Sequence, residues 1–122
     1  MAYSLVMPGI PITVVELPLF LRQAAQVWDE AERQDFVDYI ARNPESGDVI
    51  PETGGVRKVR WRRQGTGKRG GTRVVYFYHD AQMPLFLLLI YAKAQREDMT
   101  TDEKKRVRAL AAALERGYGR KG

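Results

Sequence analysis

A dense group of basic side chains in the middle of this 122-residue sequence is the feature best suited to chemistry. Residues 53–79 contain eight arginines and lysines and no acidic residue, whereas residues 1–52 carry a net charge of −6. The eight cations are Arg57, Lys58, Arg60, Arg62, Arg63, Lys68, Arg69 and Arg73. Like charges at this density repel one another unless an anion neutralises them. The segment therefore predicts binding of a phosphate backbone, and charge neutralisation by the acidic N-terminal segment is the alternative.

Other kinds of reactive site are poorly represented. The absence of cysteine excludes disulfides, thiolate metal ligands and thiol nucleophiles, and is compatible with a reducing cytoplasm. The one histidine, His79, disfavours a histidine-rich metal site. No acidic residue lies among the basic ones, so we expect neither a metal ion nor a cofactor. The strongly apolar run at residues 85–90 is far shorter than the ~20 residues of a membrane-spanning helix, so we expect a cytoplasmic protein without membrane association.

A glycine-rich motif lies inside the basic segment. Residues 65–70 read Gly-Thr-Gly-Lys-Arg-Gly and match the G-x-G-x-x-G pattern of dinucleotide-binding sites. That pattern requires a helix after the glycines and an acidic residue about 20 positions later. Here a strand-like sequence follows, and residues 83–86 read Met-Pro-Leu-Phe. We therefore interpret the motif as the tip of a β-hairpin rather than as a nucleotide-binding loop.

The surrounding pattern predicts the elements that position the cations. A strand at residues 13–15 precedes two helices, the first with apolar residues every three or four positions from Leu17 and the second capped by Asp29. Residues 56–63 and 72–79 form the predicted hairpin, and residues 84–91 are apolar enough for a central strand covered on both faces. Thr100 and Glu103 form a capping box that begins the last helix.

These elements predict one α+β domain over residues 1–122, with residues 1–11 as an N-terminal extension. We expect a small, mostly antiparallel sheet with the N-terminal helices on one face, basic residues on the other, and a C-terminal helix. Alternation along the hairpin places Lys58, Arg60 and Arg62 together on the basic face. The predicted core residues are Val59, Trp61, Val74, Tyr76, Leu87 and Leu89.

Two stretches carry a family resemblance. Residues 55–79 read GVRKVRWRRQGTGKRGGTRVVYFYH and residues 85–105 read LFLLLIYAKAQREDMTTDEKK. They contain the linked signatures K-x-R-W, G-x-G-K-R-G-G-x-R-V-x-Y and Y-x-K-x-x-x-x-D-[LM]-[ST]. Over residues 13–116 the chain resembles the RelE/HigB superfamily of toxins from bacterial type II toxin–antitoxin systems, in particular the HigB-like branch. Several linked segments in the right order are more specific than any single motif.

The resemblance implies a RelE-like fold and a toxin that cleaves mRNA at the ribosome during translation. The family's catalytic positions match Lys58, Arg60, Arg73 and Lys93. The remaining basic residues of the segment are expected to bind RNA or the ribosome: Arg57, Arg62, Arg63, Lys68 and Arg69. The implied partners are the ribosome, mRNA and a cognate antitoxin, which for this branch resembles a helix-turn-helix HigA-like protein.

The expected reaction is metal-independent attack of a ribose 2′-hydroxyl on the adjacent phosphate. Arg60 and Arg73 would stabilise the negative charge of the transition state. Lys58 or Lys93 would remove the proton, with surrounding cations favouring the neutral amine, and His79 is the other possible proton carrier. Residues 94–99 read Ala-Gln-Arg-Glu-Asp-Met and lack the tyrosine or histidines of some relatives, so the identity of the base stays open.

Two further questions stay open at this stage. The alternative function is a non-catalytic RNA-binding module, or a degenerate toxin that binds only its antitoxin and RNA, because phosphate binding and phosphate cleavage require the same cations.

The antitoxin could cover the basic face, or it could bind the acidic helix that carries Glu30, Glu32, Asp35 and Asp38. We favour the acidic helix for the HigB-like branch.

Overall fold

The computed structural model describes residues 10–62 and 71–119, which form three helices and five strands. In chain order these are β1 (Val14–Glu16), α1 (Pro18–Val27), α2 (Glu30–Arg42), β2 (Asp48–Val49), β3 (Val56–Trp61), β4 (Thr72–Phe77), β5 (Leu85–Ala92) and α3 (Thr101–Gly119). The order agrees with the predicted strand, two helices, three strands and helix. The short strand β2 is additional, since residues 49–51 had been interpreted as a link.

The predicted helix starts are confirmed. Pro18 occupies the first turn of α1, where its missing N–H needs no intrahelical partner. The side chain of Asp29 accepts a hydrogen bond from the Glu32 amide at 2.8 Å and caps α2. At α3 the Glu103 amide donates to Thr100 Oγ1 at 3.0 Å, and the Thr100 amide donates to Glu103 Oε1 at 2.9 Å. These contacts satisfy amide groups that have no partner inside the helix.

The strands form one mixed sheet in the order β1-β5-β4-β3-β2. Among the strands of the described residues, only the pair β1 and β5 is parallel, so the prediction of a mostly antiparallel sheet is confirmed. The central position belongs to β4 and not, as expected, to β5. Nevertheless β5 is buried along almost its whole length, because helices cover both faces of the sheet there.

Helices cover both faces of the sheet. Phe20 of α1 and Phe36 of α2 pack against one face, in a cluster that also contains Val74 and Leu87. On the other face Val107 of α3 packs in a second cluster, which includes residues of β3, β4 and β5. The expectation that basic residues alone occupy this second face was therefore incomplete, because α3 covers part of it.

A β-bulge in β5 changes which side chains share a face. Val75 pairs with Leu89, but Tyr76 pairs with Leu87, so Leu88 is an extra residue in the ladder. Of the predicted core residues, Val59, Val74, Tyr76 and Leu87 lie in the α1 and α2 cluster, and Trp61 packs against it half-buried. Leu89 is buried in the α3 cluster instead. The bulge accounts for this difference, since strict alternation would have placed Leu87 and Leu89 on the same face.

Candidate nucleic-acid interface

Three side chains of neighbouring strands form a row across the α3 face of the sheet. Arg60 of β3 pairs with Arg73 of β4, and Arg73 pairs with Tyr91 of β5. Directly opposite residues have Cβ atoms about 5 Å apart. The Arg60 side chain is exposed and Arg73 is half-buried, whereas Tyr91 is only 4% exposed. The row thus brings two arginine residues to neighbouring positions at a surface, next to a buried tyrosine.

Lys58 lies on the same face as Arg60, two residues before it in β3. Its ammonium group is 3.4 Å from Asp98 Oδ1, and Lys104 Nζ lies 3.3 Å from Asp98 Oδ2. The Asp98 carboxylate also accepts a hydrogen bond from the Met99 amide at 2.7 Å. Asp98 therefore joins β3 to the beginning of α3 and is half-buried between two lysines.

Two further ion pairs lie on the segment between β5 and α3. Lys93 Nζ contacts Glu97 Oε1 at 2.9 Å. The guanidinium of Arg96 donates to both carboxylate oxygens of Glu103, at 2.7 and 3.2 Å, and lies 4.6 Å from the centre of the Tyr91 ring. Such a stacked and forked arginine is held in one orientation.

The cations hold the neighbouring carboxyl groups in their charged form. The hydrogen bond from Lys93 lowers the pKa of Glu97. Burial opposes ionisation of Asp98, but the Met99 amide and the two lysines outweigh it, so the pKa of Asp98 lies below its usual value. The pKa of Glu103 is also lowered, because the hydrogen bonds from Arg96 and Thr100 exceed the effect of burial. Both predicted lysine bases thus contact carboxylates rather than only cations.

All four predicted catalytic residues lie in the same region of the α3 face. Lys58, Arg60 and Arg73 are placed there by the β3 and β4 register. Lys93 follows the end of β5, where its amide bonds to Gly71 O at 3.1 Å. Lys93 lies two residues after Tyr91, and the charge of Arg73 acts on its partner Glu97. Whether these residues perform catalysis remains a prediction.

Three other predicted residues lie elsewhere. Arg57 points to the opposite face, where its Nη1 donates to the carbonyl oxygens of Glu45 and Gly47 at 3.2 and 2.8 Å. Arg62 follows the end of β3 and, with residues of α2, lines a cleft of about 620 Å³. The alternation that was expected to place Arg62 with Lys58 and Arg60 does not extend to it, because β3 ends at Trp61. His79 follows the far end of β4 from Arg73, near Asp80 and Glu115, so it is not part of the arginine row. Arg63, Lys68 and Arg69 lie outside the described residues.

The structure adds residues that the sequence did not identify as part of the site. Tyr91 had been treated only as the end of an apolar strand, and Arg96 and Lys104 were not considered. Asp98 had appeared only as the aspartate of the third signature. Periodicity could not place Tyr91 beside Arg73, since the bulge at Leu88 alters the alternation. The spacing of Tyr91, Lys93 and Asp98 in the third signature was the sequence feature that could have identified Tyr91 and Asp98 as part of the site.

The arrangement suits a phosphodiester ligand. Two adjacent guanidinium groups can donate several hydrogen bonds to phosphate oxygens, and flanking ammonium groups can donate or exchange protons. Across residues 10–62 and 71–119, no three His, Asp or Glu side chains converge to hold a metal ion. The helices in this part of the chain are also not long and apolar enough to cross a membrane.

Comparisons with known proteins identify the family and the fold of the chain. The sequence profile of a family described as RelE toxin of the RelE / RelB toxin-antitoxin system matches residues 22–119. Among solved structures, an arginine double mutant of the E. coli toxin RelE in the free state superposes with a TM-score of 0.51 at 14% sequence identity. The superposition covers 86% of this chain and 98% of that one. At this identity the structural similarity concerns the fold alone, and it confirms the predicted α+β fold.

Proposed function

The chain belongs to the RelE family of toxins from toxin–antitoxin systems, and from this premise we propose that it is a ribosome-dependent, metal-independent endoribonuclease that cleaves mRNA. The third signature, Y-x-K-x-x-x-x-D-M-T at residues 91–100, supports placement in the HigB-like branch. The observation that carries the proposal is the cross-strand pairing of Arg60 with Arg73, flanked by Lys58 and Lys93.

Arg60 and Arg73 are like charges on paired strands and repel each other, while Glu97 offsets part of the charge of Arg73. An RNA phosphate placed between them reverses the sign of this interaction. It also receives the forked donors of both side chains. The pairing therefore supports an anionic ligand at this surface.

The proposed reaction is transesterification within the RNA. The ribose 2′-oxygen loses its proton to a base and forms a bond to phosphorus, while the bond from phosphorus to the 5′-oxygen breaks. The leaving oxygen takes a proton from an acid, so the products are a 2′,3′-cyclic phosphate and a 5′-hydroxyl. Arg60 and Arg73 stabilise the additional negative charge at phosphorus. Lys58 or Lys93 acts as the base once RNA binding has separated it from its carboxylate partner.

The test is incubation of the purified protein with translating ribosomes, followed by mapping of new mRNA ends. We expect new 5′-hydroxyl ends, which polynucleotide kinase labels without prior phosphatase treatment. Arg73→Ala should abolish these ends, whereas Arg22→Ala, which changes an exposed arginine of α1 on the opposite face, should not. New ends that require phosphatase before labelling would contradict transesterification, and equal cleavage by Arg73→Ala would contradict the site.

A second candidate function is RNA binding without cleavage. The specific observation in its favour is that both candidate bases, Lys58 and Lys93, contact carboxylates in the free protein. A lysine ammonium group that contacts a carboxylate acts as a hydrogen-bond donor and not as a base. The same assay separates the two functions, because a binding module protects mRNA without producing new ends.

We also propose a helix-turn-helix HigA-like antitoxin as the partner, bound to the acidic surface of α2. This surface is formed by Glu30, Glu32, Asp35 and Asp38. The helix packs on the face of the sheet opposite to Arg60 and Arg73, so an antitoxin bound there leaves the arginine row open. The cleft between α2 and the end of β3, with the exposed Tyr39 in its lining, supplies an apolar contact beside the acidic residues.

A further inference from the structure

The hydroxyl group of Tyr91 is buried without a hydrogen-bond partner in the described part of the chain. The residue is 4% exposed, and its ring packs in the α3 cluster. Burial of an unpaired hydroxyl is destabilising, and phenylalanine would fill the same space without this penalty. Buried polar groups almost always have partners in folded proteins. An unpaired one therefore indicates a partner that is acquired in another state of the molecule.

The surroundings of the Tyr91 ring belong to the proposed RNA site. Arg73 is its direct neighbour across the β4 and β5 pair, and the guanidinium of Arg96 stacks on its face. The hydroxyl also lies within the electrostatic field of Asp98. Burial and the negative charge of Asp98 raise the pKa of Tyr91, so its hydroxyl keeps its proton at neutral pH and is available as a donor.

Two carboxylates, Asp98 and Glu103, act electrostatically on the Tyr91 hydroxyl. Glu103 is held by Arg96 and the Thr100 amide at 2.7 to 3.2 Å, which leaves Asp98 as the more available acceptor. In the free protein its oxygens are engaged by Lys58, Lys104 and the Met99 amide. The contact with Lys58 is the longest of the three, at 3.4 Å, and Lys58 is also one of the cations that would bind phosphate. When Lys58 turns toward an RNA phosphate, Asp98 loses a donor while it remains charged. A half-buried, charged carboxylate that has lost one donor is stabilised by a hydrogen bond from another donor.

We propose that Tyr91 is a positioning residue of the RNA site, whose hydroxyl is unpaired in the free protein and donates to Asp98 when RNA draws Lys58 away. The hydroxyl does not touch the RNA. It stabilises the arrangement in which Lys58 is released from Asp98 and faces the phosphate. The inference rests on the proposed function, because it takes RNA as the ligand of this face.

The experiment compares wild type with Tyr91→Phe in the whole chain, using a 2′-O-methylated RNA oligonucleotide that cannot undergo transesterification. Tyr91→Phe keeps the ring under Arg96 and removes only the oxygen. We expect a melting temperature equal to or above that of wild type, together with RNA binding weaker by about five- to tenfold, the value of one hydrogen bond. Tyr118→Phe, which changes an exposed tyrosine of α3, is the matched control and should alter neither quantity.

Asp98→Ala tests the identity of the acceptor. In the Asp98→Ala background, adding Tyr91→Phe should cause no further loss of RNA affinity, because the hydroxyl then has no partner to gain. Equal RNA affinity of Tyr91→Phe and wild type would overturn the inference, as would failure of wild type to bind the oligonucleotide. A lower melting temperature of Tyr91→Phe would also overturn it, since the hydroxyl would then be paired in the free protein. If adding Tyr91→Phe to the Asp98→Ala variant still weakens RNA binding by about five- to tenfold, Asp98 is excluded as the acceptor.

The cleavage assay separates this inference from the proposed function. If wild type cleaves mRNA but Tyr91→Phe binds RNA like wild type, the function holds and the role of Tyr91 is wrong. If the affinity difference is present but no new mRNA ends form, the role of Tyr91 holds and the protein binds RNA without cleaving it.

Discussion

The hydroxyl of Tyr76 accepts a hydrogen bond from the amide of Gly47 at 2.8 Å and ties β4 to the loop before β2. The same hydroxyl donates to the carbonyl oxygen of Pro44, also at 2.8 Å. A Cβ atom at position 47 would lie 2.9 Å from this hydroxyl, so the close approach requires glycine. Tyr76 and Tyr91 are thus two buried tyrosines of the same sheet, one with a fully paired hydroxyl and one with an unpaired hydroxyl.

Tyr76→Phe should therefore lower the free energy of unfolding by about 1–3 kcal/mol, because it leaves the Gly47 amide and the Pro44 carbonyl without their buried partner. Urea unfolding monitored by circular dichroism measures the change. Tyr39→Phe, at an exposed tyrosine of α2, is the control and should stay within about 0.5 kcal/mol of wild type. Equal stability of Tyr76→Phe and wild type would show that water replaces the hydroxyl.

Neutralisation of Arg60 should weaken RNA binding without lowering the stability of the protein. Arg60→Gln removes repulsion between like charges on paired strands, so we expect a melting temperature no lower than that of wild type. It should also weaken RNA binding. If wild type neutralises about four phosphates of single-stranded RNA, a plot of log binding constant against log salt concentration has a slope near −3. The substitution should make this slope less steep by about 0.7. Arg22→Gln is the control, and an unchanged slope in Arg60→Gln would contradict phosphate contact.

Arg57→Ala should mainly affect stability. The guanidinium of Arg57 donates to two backbone carbonyl groups of the loop between α2 and β2, on the face opposite to the arginine row. We expect a loss of about 1–3 kcal/mol in the free energy of unfolding, as for hydrogen bonds from charged donors. RNA affinity and its salt dependence, measured below the melting transition, should match wild type. Weaker RNA binding with normal stability would instead support a direct role for Arg57 in the interface.

The stability of the protein should fall in acid because of the carboxylates near the arginine row. Glu97, Asp98 and Glu103 have lowered pKa values when folded, so the unfolded chain takes up more protons as the pH falls below their ordinary values of 4.5, 3.8 and 4.5. The stabilisation is complete near neutral pH and is lost progressively below about pH 4.5. Urea unfolding at pH 7 and pH 3 measures this loss.

Glu103→Gln tests the contribution of one of these groups. It removes the charged partner of Arg96, so we expect the free energy of unfolding at pH 7 to be about 1 kcal/mol lower than that of wild type. Between pH 7 and pH 3, the free energy of unfolding of the variant should fall by less than that of wild type. Glu52→Gln, at an exposed position before β3, is the matched control. If the free energy of unfolding of Glu103→Gln falls between pH 7 and pH 3 by as much as that of wild type, Glu103 does not contribute to the loss of stability in acid.

Charge reversal on α2 tests the proposed antitoxin surface. The double variant Asp35→Lys and Asp38→Lys should weaken capture of the cognate antitoxin while leaving mRNA cleavage unchanged, because α2 and the arginine row lie on opposite faces. Glu115→Lys reverses an acidic charge on α3 and is the control. If capture is unchanged in the double variant but lost in Arg60→Gln, the antitoxin covers the basic face instead.

Much of the fold followed from local patterns in the sequence. The caps at Asp29 and Thr100 were predicted because each capping contact spans only three residues of the chain. The pairing of β3 with β4 followed from two β-forming segments on either side of a glycine-rich connection. Strand β2 was missed because two residues of paired backbone produce no periodic signal.

The candidate site was predicted in part, and the limit is a physical one. Local composition by itself determined that Lys58, Arg60 and Arg73 lie on a hairpin, and alternation put the first two on one face. Only the tertiary structure decided what surrounds them, because Asp98 reaches Lys58 across 40 residues of sequence. The bulge at Leu88 depends on how β5 fits between its neighbours and the helices on both faces, and it brings Tyr91 beside Arg73. A period-two pattern cannot encode such an inserted residue in a strand that is apolar on both sides, so the composition of the row was decided by packing.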